Sequence, residues 1–535
     1  MIGGAPVAPD TIVVGAGPAG CAVAARLSRS GRRVLLVEAG GRGRNPMLSV
    51  PAAMMLTMRD PRYTWRFATE PEPGLDGRSP DWIAGRLLGG GSAINGMMYL
   101  RGHPLDYDRW RDEAGCAGWG FADILPFFRR AEDSDRPTSL WHGAGGPISI
   151  TVGMPDPAIG PAFLEAVAAA GLPVVDDLNA GVAEGFGYFD RAIGRGRRSS
   201  VARAYLRGVA RRDRLTVVTG ARVLGLLIER GRVRGVRVAG RGGAIEEVRA
   251  ADGVVLAAGC INTAHLLQLS GIGPADALRR HGIAVAIDAP QVGANVQNHV
   301  AYIQPHALDA PVTAYELRHP WRALRAGARY ALFRRGILSG PLCPVGGLLR
   351  ADPAAAVADT QVILGAGLPG TGAGWRSVLP AARGFTLMLN QGRPFSRGSI
   401  GLRSGDPAVP PAIRSGFFSD SRDLPLLAAA VERMRDLLAR TPIAGAYARP
   451  LRQVAGGRDA LTTDIRAHAS SFYHAVGSCR MGDDEQAVVD TGMRVRGVTG
   501  LHVADTSVAP LLVNGNTTAM ALMLGERAAH LIAGA

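Results

Sequence analysis

The chain has 535 residues, of which 47% are hydrophobic and 20% charged, so it can bury a sizeable core; this excludes a disordered chain, a collagen and a disulfide miniprotein. Its basic side chains are all arginine, 60 against 45 acidic ones, and the charge of +15 would suit a nucleic acid or an acidic membrane. The arginines form short loop clusters without interleaved aromatic residues, so arginine-favouring codon usage explains the charge better, and we expect no nucleic-acid partner.

The five cysteines form no CxxC pair and have no metal-ligand spacing to histidine. This pattern predicts free thiols in a reducing compartment and no metal site. No run of about 18 apolar residues occurs, and an apolar strand already begins at Thr11 in place of a leader. We therefore expect a soluble, cytoplasmic protein without a transmembrane segment, and the oligomeric state stays open.

The first forty residues predict a nucleotide-binding βαβ unit. A β-branched run at 11–14 predicts a buried strand, and GAGPAG at 15–20 fits the GxGxxG pattern. A helix-forming run follows at 21–27, and a second strand at 34–37 ends in Glu38.

The glycines and the acid of this unit have separate predicted roles. Gly15 and Gly17 allow a tight turn close to a pyrophosphate, and Gly20 lets the helix pack on the strand with its N-terminus toward the anion. The carboxylate of Glu38 can accept hydrogen bonds from both ribose hydroxyls, whereas an ordinary glycine-rich turn leaves Glu38 unexplained. The unit serves NAD and FAD equally well.

Three later segments are also rich in glycine or turn residues. Residues 85–102 contain three successive glycines, which suit a backbone pressed against a flat ligand. A buried strand at 254–259 runs into a predicted helix over 263–269. Near the C-terminus, residues 501–505 are followed by a turn and helix over 514–529.

In this order and at these separations, the four segments resemble the glucose-methanol-choline (GMC) family of FAD-dependent alcohol oxidoreductases. The resemblance covers nearly the whole chain, and includes the family signatures at 85–102 and 259–274, the segment 292–299, and His474 with Asn516. It implies an α/β fold with a Rossmann-like FAD-binding domain and an antiparallel-sheet substrate domain. We expect the FAD-binding domain to comprise 1–150, 200–300 and 470–535, and the substrate domain 151–199 and 301–469. Apolar or alternating runs at 361–364, 385–389 and 399–402 predict strands of the antiparallel sheet.

The resemblance implies FAD as cofactor. Some relatives attach the flavin through a histidine in the first signature, which here offers none, so we expect noncovalent binding. Arg86 and Arg101 in that signature either serve the pyrophosphate or cover the surface. The expected cofactor contacts are Gly15, Gly17, Gly20, Glu38, Arg86, Gly89, Gly90, Ser92, Asn95, Gly96, Met97, Val223, Ala258, Asp505 and Thr517.

The chain departs from the family pattern at two places. Asn262-Thr263 replaces a usual Ser-Pro, which changes a helix-start proline and little chemistry. Asn298 stands where an aspartate usually precedes His299, which weakens the case for that segment as a cofactor contact.

The segment 471–482 matches the family segment that carries the active-site base, so the resemblance implies His474 as general base. Imidazole has a reference pKa near 6.5 and can accept a proton at working pH. Asn516 stands at a family position that holds either His or Asn, and would orient the substrate oxygen; a helix N-cap is its alternative role. Phe472 and Tyr473 are candidates for the pocket lining, although buried aromatics are more often plain core.

The segment 340–347 bears on the substrate. Choline-oxidising relatives carry a glutamate near such a stretch, and this one holds no acid, so a quaternary ammonium would lose its charge partner. We expect oxidation of a neutral primary alcohol, aryl, furanyl or alkyl, to the aldehyde, by hydride transfer to flavin N5, with O2 or another compound as electron acceptor. The alternative function is a non-redox flavoprotein of the same fold, such as a hydroxynitrile lyase.

Overall fold

The computed structural model describes residues 8–153, 158–207, 209, 214–240, 242–368 and 380–534. Its helices are α1 (Pro18–Arg29), α2 (Met54–Arg59), α3 (Pro104–Asp112), α4 (Phe121–Ala131), α5 (Ile159–Ala169), α6 (Gly259–Leu269), α7 (Ala275–Arg280), α8 (Pro320–Phe333), α9 (Asp423–Arg440), α10 (Gly457–His468) and α11 (Thr517–Ala533). Across the described ranges, no helix combines the length and apolarity that crossing a bilayer requires.

The strands are β1 (Thr11–Val14), β2 (Val34–Glu38), β3 (Thr64–Ala68), β4 (Asp81–Gly85), β5 (Glu132–Ser134), β6 (Ile148–Ile150), β7 (Gly185–Tyr188), β8 (Ile193–Gly194), β9 (Arg197–Arg198), β10 (Leu215–Thr219), β11 (Arg222–Glu229), β12 (Arg232–Ala239), β13 (Ile245–Arg249), β14 (Gly253–Leu256), β15 (Ile272–Gly273), β16 (Ile287–Asp288), β17 (Val300–Ala307), β18 (Val345–Leu349), β19 (Thr360–Gly365), β20 (Gly384–Gln391), β21 (Ser399–Gly401), β22 (Ala412–Arg414), β23 (Arg449–Pro450), β24 (Ser470–Ser471) and β25 (Leu501–Val503).

A five-stranded parallel sheet has the order β10-β2-β1-β14-β25. β1, β2 and β14 are buried along their whole length, as strands covered on both faces require. The register aligns Val14 with Val37 and Leu256, and Leu256 with Val503. The residues that follow these four therefore meet at one edge of the sheet, which is the Rossmann-like arrangement expected from the sequence.

Helix α11 packs closely on α1. A Cβ atom at Gly525 would lie 2.5 Å from the carbonyl oxygen of Ala19, so glycine is required for the two backbones to approach. Next to it, the buried carboxylate of Glu526 accepts hydrogen bonds from Arg26 and from the hydroxyl of Tyr205. This packing fixes the N-terminus of α11 relative to that of α1.

A second, antiparallel sheet has the order β23-β17-β20-β19-β18-β7, with β24 also pairing with β17. The predicted strand runs at 361–364 and 385–389 are β19 and β20. The predicted strand at 399–402 forms β21 outside this sheet and, among the described strands, pairs with β22 alone. The reason is that the backbone of Ile400 is held by the Gln268 side chain and by the carbonyl of Gly293.

The helix after β14 begins at Gly259, four residues before the predicted start at Thr263. The carboxylate of Asp505 accepts hydrogen bonds from the Gly259 N–H at 2.9 Å and from the Thr263 hydroxyl at 2.6 Å. An acceptor from a distant part of the chain thus stabilises the first turn, which local sequence does not reveal.

Candidate functional site

A cavity of about 660 Å³ lies between the carboxyl edge of the parallel sheet and one face of the antiparallel sheet. Gly15 and Ala258 line it on the first side, and Ala301, Ile303 and Met388 on the second. Its volume falls in the usual range of small-molecule and cofactor sites, about 300–1,000 Å³.

The structure brings most of the predicted site residues to this cavity. The predicted catalytic and pocket residues His474, Asn516, Phe472 and Tyr473 all line it. The predicted cofactor residues that line it are Gly15, Gly17, Glu38, Gly90, Asn95, Gly96, Met97, Val223, Ala258, Asp505 and Thr517.

Four predicted cofactor residues do not line the cavity: Gly20, Arg86, Gly89 and Ser92. A Cβ atom at Gly20 would lie 1.9 Å from the Gly15 carbonyl oxygen, so Gly20 lets α1 approach the loop. The Gly89 N–H donates to Ala16, and the Ser92 hydroxyl donates to the Gly89 carbonyl at 2.6 Å. These contacts hold the shape of the two glycine-rich loops.

The two arginines of the 85–102 segment take different positions. The Arg86 guanidinium lies 4.5 Å from the ring centre of Trp65, which itself lines the cavity. Arg101 is fully buried and forms an ion pair with Glu132 at 2.7 Å. Arg101 is therefore neither a pyrophosphate contact nor a surface residue. It is half of a buried ion pair, a role that the sequence did not indicate.

The backbone at the carboxyl edge fits a ribose and a pyrophosphate. Glu38 accepts hydrogen bonds from the Ala16 N–H at 3.0 Å and the Gly40 N–H at 2.7 Å, and a carboxylate retains acceptor capacity for hydroxyl groups. Burial raises the pKa of Glu38, and the two backbone N–H groups oppose this rise. Gly17 caps α1 without a side chain, so the free N–H groups of the first turn stay available to an anion.

The two glycine-rich loops touch through their backbones. A Cβ atom at Gly90 would lie 2.8 Å from the Cα atom of Gly17, and one at Gly15 would lie 2.4 Å from the Ala257 carbonyl oxygen. Only residues without a side chain allow this approach. The donor set and the cradle together fit the dinucleotide part of FAD.

Arg198 is a buried residue of this region that sequence reasoning missed. Arg198 ends one of the short loop clusters of arginine, at 194–198, yet it donates to the Ser92 carbonyl at 3.2 Å and to the Asn95 carbonyl at 2.7 Å. Burial lowers the pKa of Arg198 to about 9, so it stays a cation at neutral pH. No signal in the local sequence distinguishes it from its exposed neighbours.

A tight turn after β24 presents His474 to the cavity. Tyr473 has φ of +64°, which a non-glycine residue adopts rarely. The His474 N–H donates to the Asn298 side-chain oxygen at 2.8 Å, and the Asn298 amide donates to Ser471 at 2.9 Å. Asn298 thus holds the backbone of the predicted base, and the Phe472 ring packs edge-on against the imidazole at 5.1 Å.

His299 determines which nitrogen of His474 carries the proton. His299 Nε2 lies 3.2 Å from the Gly392 carbonyl and 3.1 Å from the Val513 carbonyl, so it must carry a hydrogen. In the neutral ring, His299 Nδ1 is then an acceptor, and it lies 2.8 Å from His474 Nδ1. His474 Nδ1 is therefore the donor, which leaves His474 Nε2 unprotonated.

Asn516 faces that unprotonated nitrogen. Its Nδ2 lies 3.4 Å from His474 Nε2, and its Oδ1 accepts from the Gln361 amide at 3.1 Å. Asn516 is the N-cap residue of α11, yet its side chain makes no capping hydrogen bond. Gln361 is a second residue that the sequence did not identify; it fixes which end of the Asn516 amide points at the imidazole.

Both histidines are neutral at pH 7. Burial and then the nearby His299 lower the pKa of His474 well below its usual value. Burial lowers the pKa of His299 to about 4. His474 therefore offers a free lone pair over the whole neutral range.

The cavity wall carries little negative charge. Of the described residues that line it, only Glu38 and Asp505 are acidic, and backbone N–H groups bind both carboxylates. From the 340–347 segment, Leu342 and Cys343 line the cavity.

Comparison with known proteins gives consistent similarities. Two family models described as GMC oxidoreductase match residues 9–301 and 394–525. An oxygen-dependent choline dehydrogenase of Rhizobium etli strain CIAT 652 is 37% identical over 532 residues, covering 98% of this chain and 95% of the relative. The one from Brucella anthropi is 38% identical over 533 residues, with the same coverage.

Solved structures are similar over the same length. Pyridoxine 4-oxidase from Mesorbium loti has a TM-score of 0.88 and 32% identity, covering 98% of each chain. A fungal aryl-alcohol oxidase has a TM-score of 0.86, covers 98% of this chain and 99% of its own, and at 23% identity is similar in fold alone.

Proposed function

Because the chain belongs to the GMC oxidoreductase family and is an FAD-dependent alcohol oxidoreductase, we propose that it oxidises a neutral primary alcohol to the aldehyde with His474 as base. The family and the FAD cofactor expected from the sequence are thus confirmed. The observation that carries the finer proposal is the unprotonated His474 Nε2 beside the Asn516 amide, in a cavity without an unbound carboxylate among its described lining residues.

His474 and Asn516 would both contact the substrate hydroxyl, with different roles. The alcohol O–H donates to His474 Nε2, and Asn516 Nδ2 donates to the alcohol oxygen and holds it in place. As the α-hydrogen leaves with its electron pair, the hydroxyl proton moves to His474. His299 Nδ1 accepts from the other side of the new imidazolium and keeps the ring in position. Bound FAD supplies the hydride acceptor.

Residues at both ends of the cavity would hold the cofactor noncovalently. Glu38 would bind the ribose hydroxyls, and the first turn of α1, with Gly15, Gly17 and Gly90, would bind the pyrophosphate. Thr517 begins α11, whose positive end would stabilise negative charge on the reduced ring.

The cavity favours a neutral alcohol over choline. Moving a quaternary ammonium from water into an apolar site is costly unless an anion or an aromatic cage compensates. Next to His474 the lining consists of Phe472 and Tyr473, with Ile303 and Met388 on the facing sheet. Two rings give partial compensation at most, and the only acidic residues of the described lining, Glu38 and Asp505, are already bound by backbone N–H groups, so an ammonium would have no free anionic partner. The relatives named for choline dehydrogenation therefore share the chemistry proposed here but need not share the substrate.

The test is anaerobic mixing of the yellow holoenzyme with a matched set of alcohols. We expect benzyl, furfuryl and longer alkyl alcohols to bleach the flavin absorbance rapidly, and choline to bleach it at least about tenfold more slowly. Admitting oxygen afterwards separates oxidase from dehydrogenase by the rate of recolouring. Bleaching by choline alone would overturn the neutral substrate, and a lyase would leave the flavin oxidised with every alcohol.

Replacing His299 by leucine removes the acceptor that fixes the tautomer of His474. We expect kcat to fall about 10- to 100-fold, by analogy with the loss of a partner that orients a metal-ligating histidine. His299→Asn keeps an oxygen near the position of Nδ1 and should restore part of the rate. Equal losses in both variants, with unchanged pH profiles, would indicate a purely structural role.

The pH profile of the wild type supplies a second readout. Burial lowers the pKa of His474 well below its usual value, so kcat/KM should be flat across neutral pH and fall only at more acidic pH. An acid limb centred at or above pH 6.5 would contradict the proposed environment of the base.

A further inference from the structure

Helix α8 leaves most of its surface in solvent. Of its fourteen residues only Tyr330 is buried. Trp321, Leu324, Leu332 and Phe333 are 73%, 60%, 74% and 66% exposed. An isolated exposed apolar residue is ordinary, whereas four large ones on one short helix mark an interaction surface.

Three of these four residues lie on one stripe. Trp321, Leu324 and Leu332, together with Ala328, recur at i, i+3, i+11 and i+7, so they share a face of the helix. Phe333, at i+12, lies about 120° around the helix from that face.

Arginines border the stripe. Arg322, Arg325 and Arg329 form a neighbouring row, and residues 318–335 hold six arginines and no Asp or Glu. Arg322 pairs with Glu316, whereas Arg325 and Arg329 form no ion pair with any residue that the structure describes. The face therefore combines large apolar side chains with uncompensated positive charge.

We propose that α8 is a docking surface for an anionic lipid bilayer. A helix with Trp and Leu on one face and arginines beside it is suited to lie in the membrane interface. Its aromatic and aliphatic side chains enter the headgroup region while the guanidinium forks bind lipid phosphates. At fourteen residues, or about 21 Å, α8 is shorter than the roughly 30 Å hydrocarbon layer, so it lies along the surface.

A second copy of this chain is the competing occupant. In a two-fold symmetric pair, α8 would face α8, and two arginine rows without acids would meet. Anionic lipid instead supplies the missing negative charge, and the net charge of +15 attracts the whole protein to the same surface. Charge complementarity therefore favours the bilayer.

The segment that follows α8 in the chain leads to the cavity wall. The chain reaches Leu342 and Cys343, which line the cavity, within ten residues of Phe333. The exposed face of α8 would determine the location of the enzyme and takes no part in its chemistry. This inference therefore does not depend on which alcohol is oxidised.

The test is co-sedimentation of the full-length holoenzyme with vesicles at about 0.1 M salt. We expect at least about tenfold more binding to phosphatidylcholine vesicles that contain phosphatidylglycerol than to phosphatidylcholine alone, and loss of this binding at high salt. Trp321→Ser with Leu332→Ser, and separately Arg325→Gln with Arg329→Gln, should each reduce the binding at least about tenfold. Turnover of a soluble alcohol should not change.

Leu140→Ser with Ile245→Ser is the matched control, since these apolar residues are 69% and 62% exposed on other segments. The proposal fails if the control loses as much binding as the α8 variants, or if phosphatidylglycerol makes no difference. It also fails if light scattering shows a dimer that only the α8 variants dissociate, because the occupant is then a second copy.

Discussion

His474→Ala should lower kcat by about 10²- to 10⁴-fold, the usual contribution of a positioned general base, equivalent to about 2.7–5.5 kcal/mol of barrier. The alcohol would then have to lose its proton to water. The rate of the variant should therefore keep rising with pH, whereas the wild-type rate levels off above the pKa of the base. Steady-state kinetics between pH 5 and 10 would measure both profiles.

Two controls separate loss of the base from loss of the fold. His468→Ala removes an exposed imidazole six residues earlier and should leave kcat unchanged. His474→Ala should keep its full content of FAD, since the backbone of residue 474 remains bound to Asn298. A variant that oxidises the best alcohol within about tenfold of the wild-type rate would show that His474 is not the base.

Gly40→Ala should reduce both FAD content and stability. A Cβ atom at Gly40 would lie 2.0 Å from the carbonyl oxygen of Arg86, so the backbone at 86–87 must move away. That backbone leads into Gly89 and Gly90, and overpacking of this kind typically costs about 1–3 kcal/mol. We expect FAD to be lost at least about tenfold more readily on dialysis, since 1.4 kcal/mol is a factor of ten.

Gly41→Ala is the matched control for this prediction. A Cβ atom at Gly41 would have no heavy atom within 4 Å, and its φ is not in the left-handed region. The ratio of flavin to protein absorbance and the thermal midpoint should therefore equal those of the wild type. If both variants retain FAD equally, the contact between Gly40 and the 85–102 segment has no part in the cofactor site.

Local chemistry explains why much of the fold could be predicted. The run at 11–14 is rich in β-branched residues and the run at 34–37 is apolar, and the GxGxxG sequence between them restricts the backbone to a tight turn into a helix. The prediction that β21 belongs to the antiparallel sheet was wrong. Hydrogen bonds that join Ile400 to Gln268 and Gly293, more than a hundred residues earlier in the chain, hold this strand elsewhere.

The sequence by itself determined the parallel-sheet edge with its glycine loop and Glu38, the family, and the identity of His474 and Asn516 as neighbours in one site. Only the tertiary structure decided how those side chains are held. His299 reaches His474 across 175 residues and Gln361 reaches Asn516 across 155, so neither partner leaves a local pattern. The same holds for Arg198, whose burial depends on carbonyl groups about a hundred residues away. Turns and strands follow from neighbours in sequence, whereas proton positions and buried charges follow from neighbours in space.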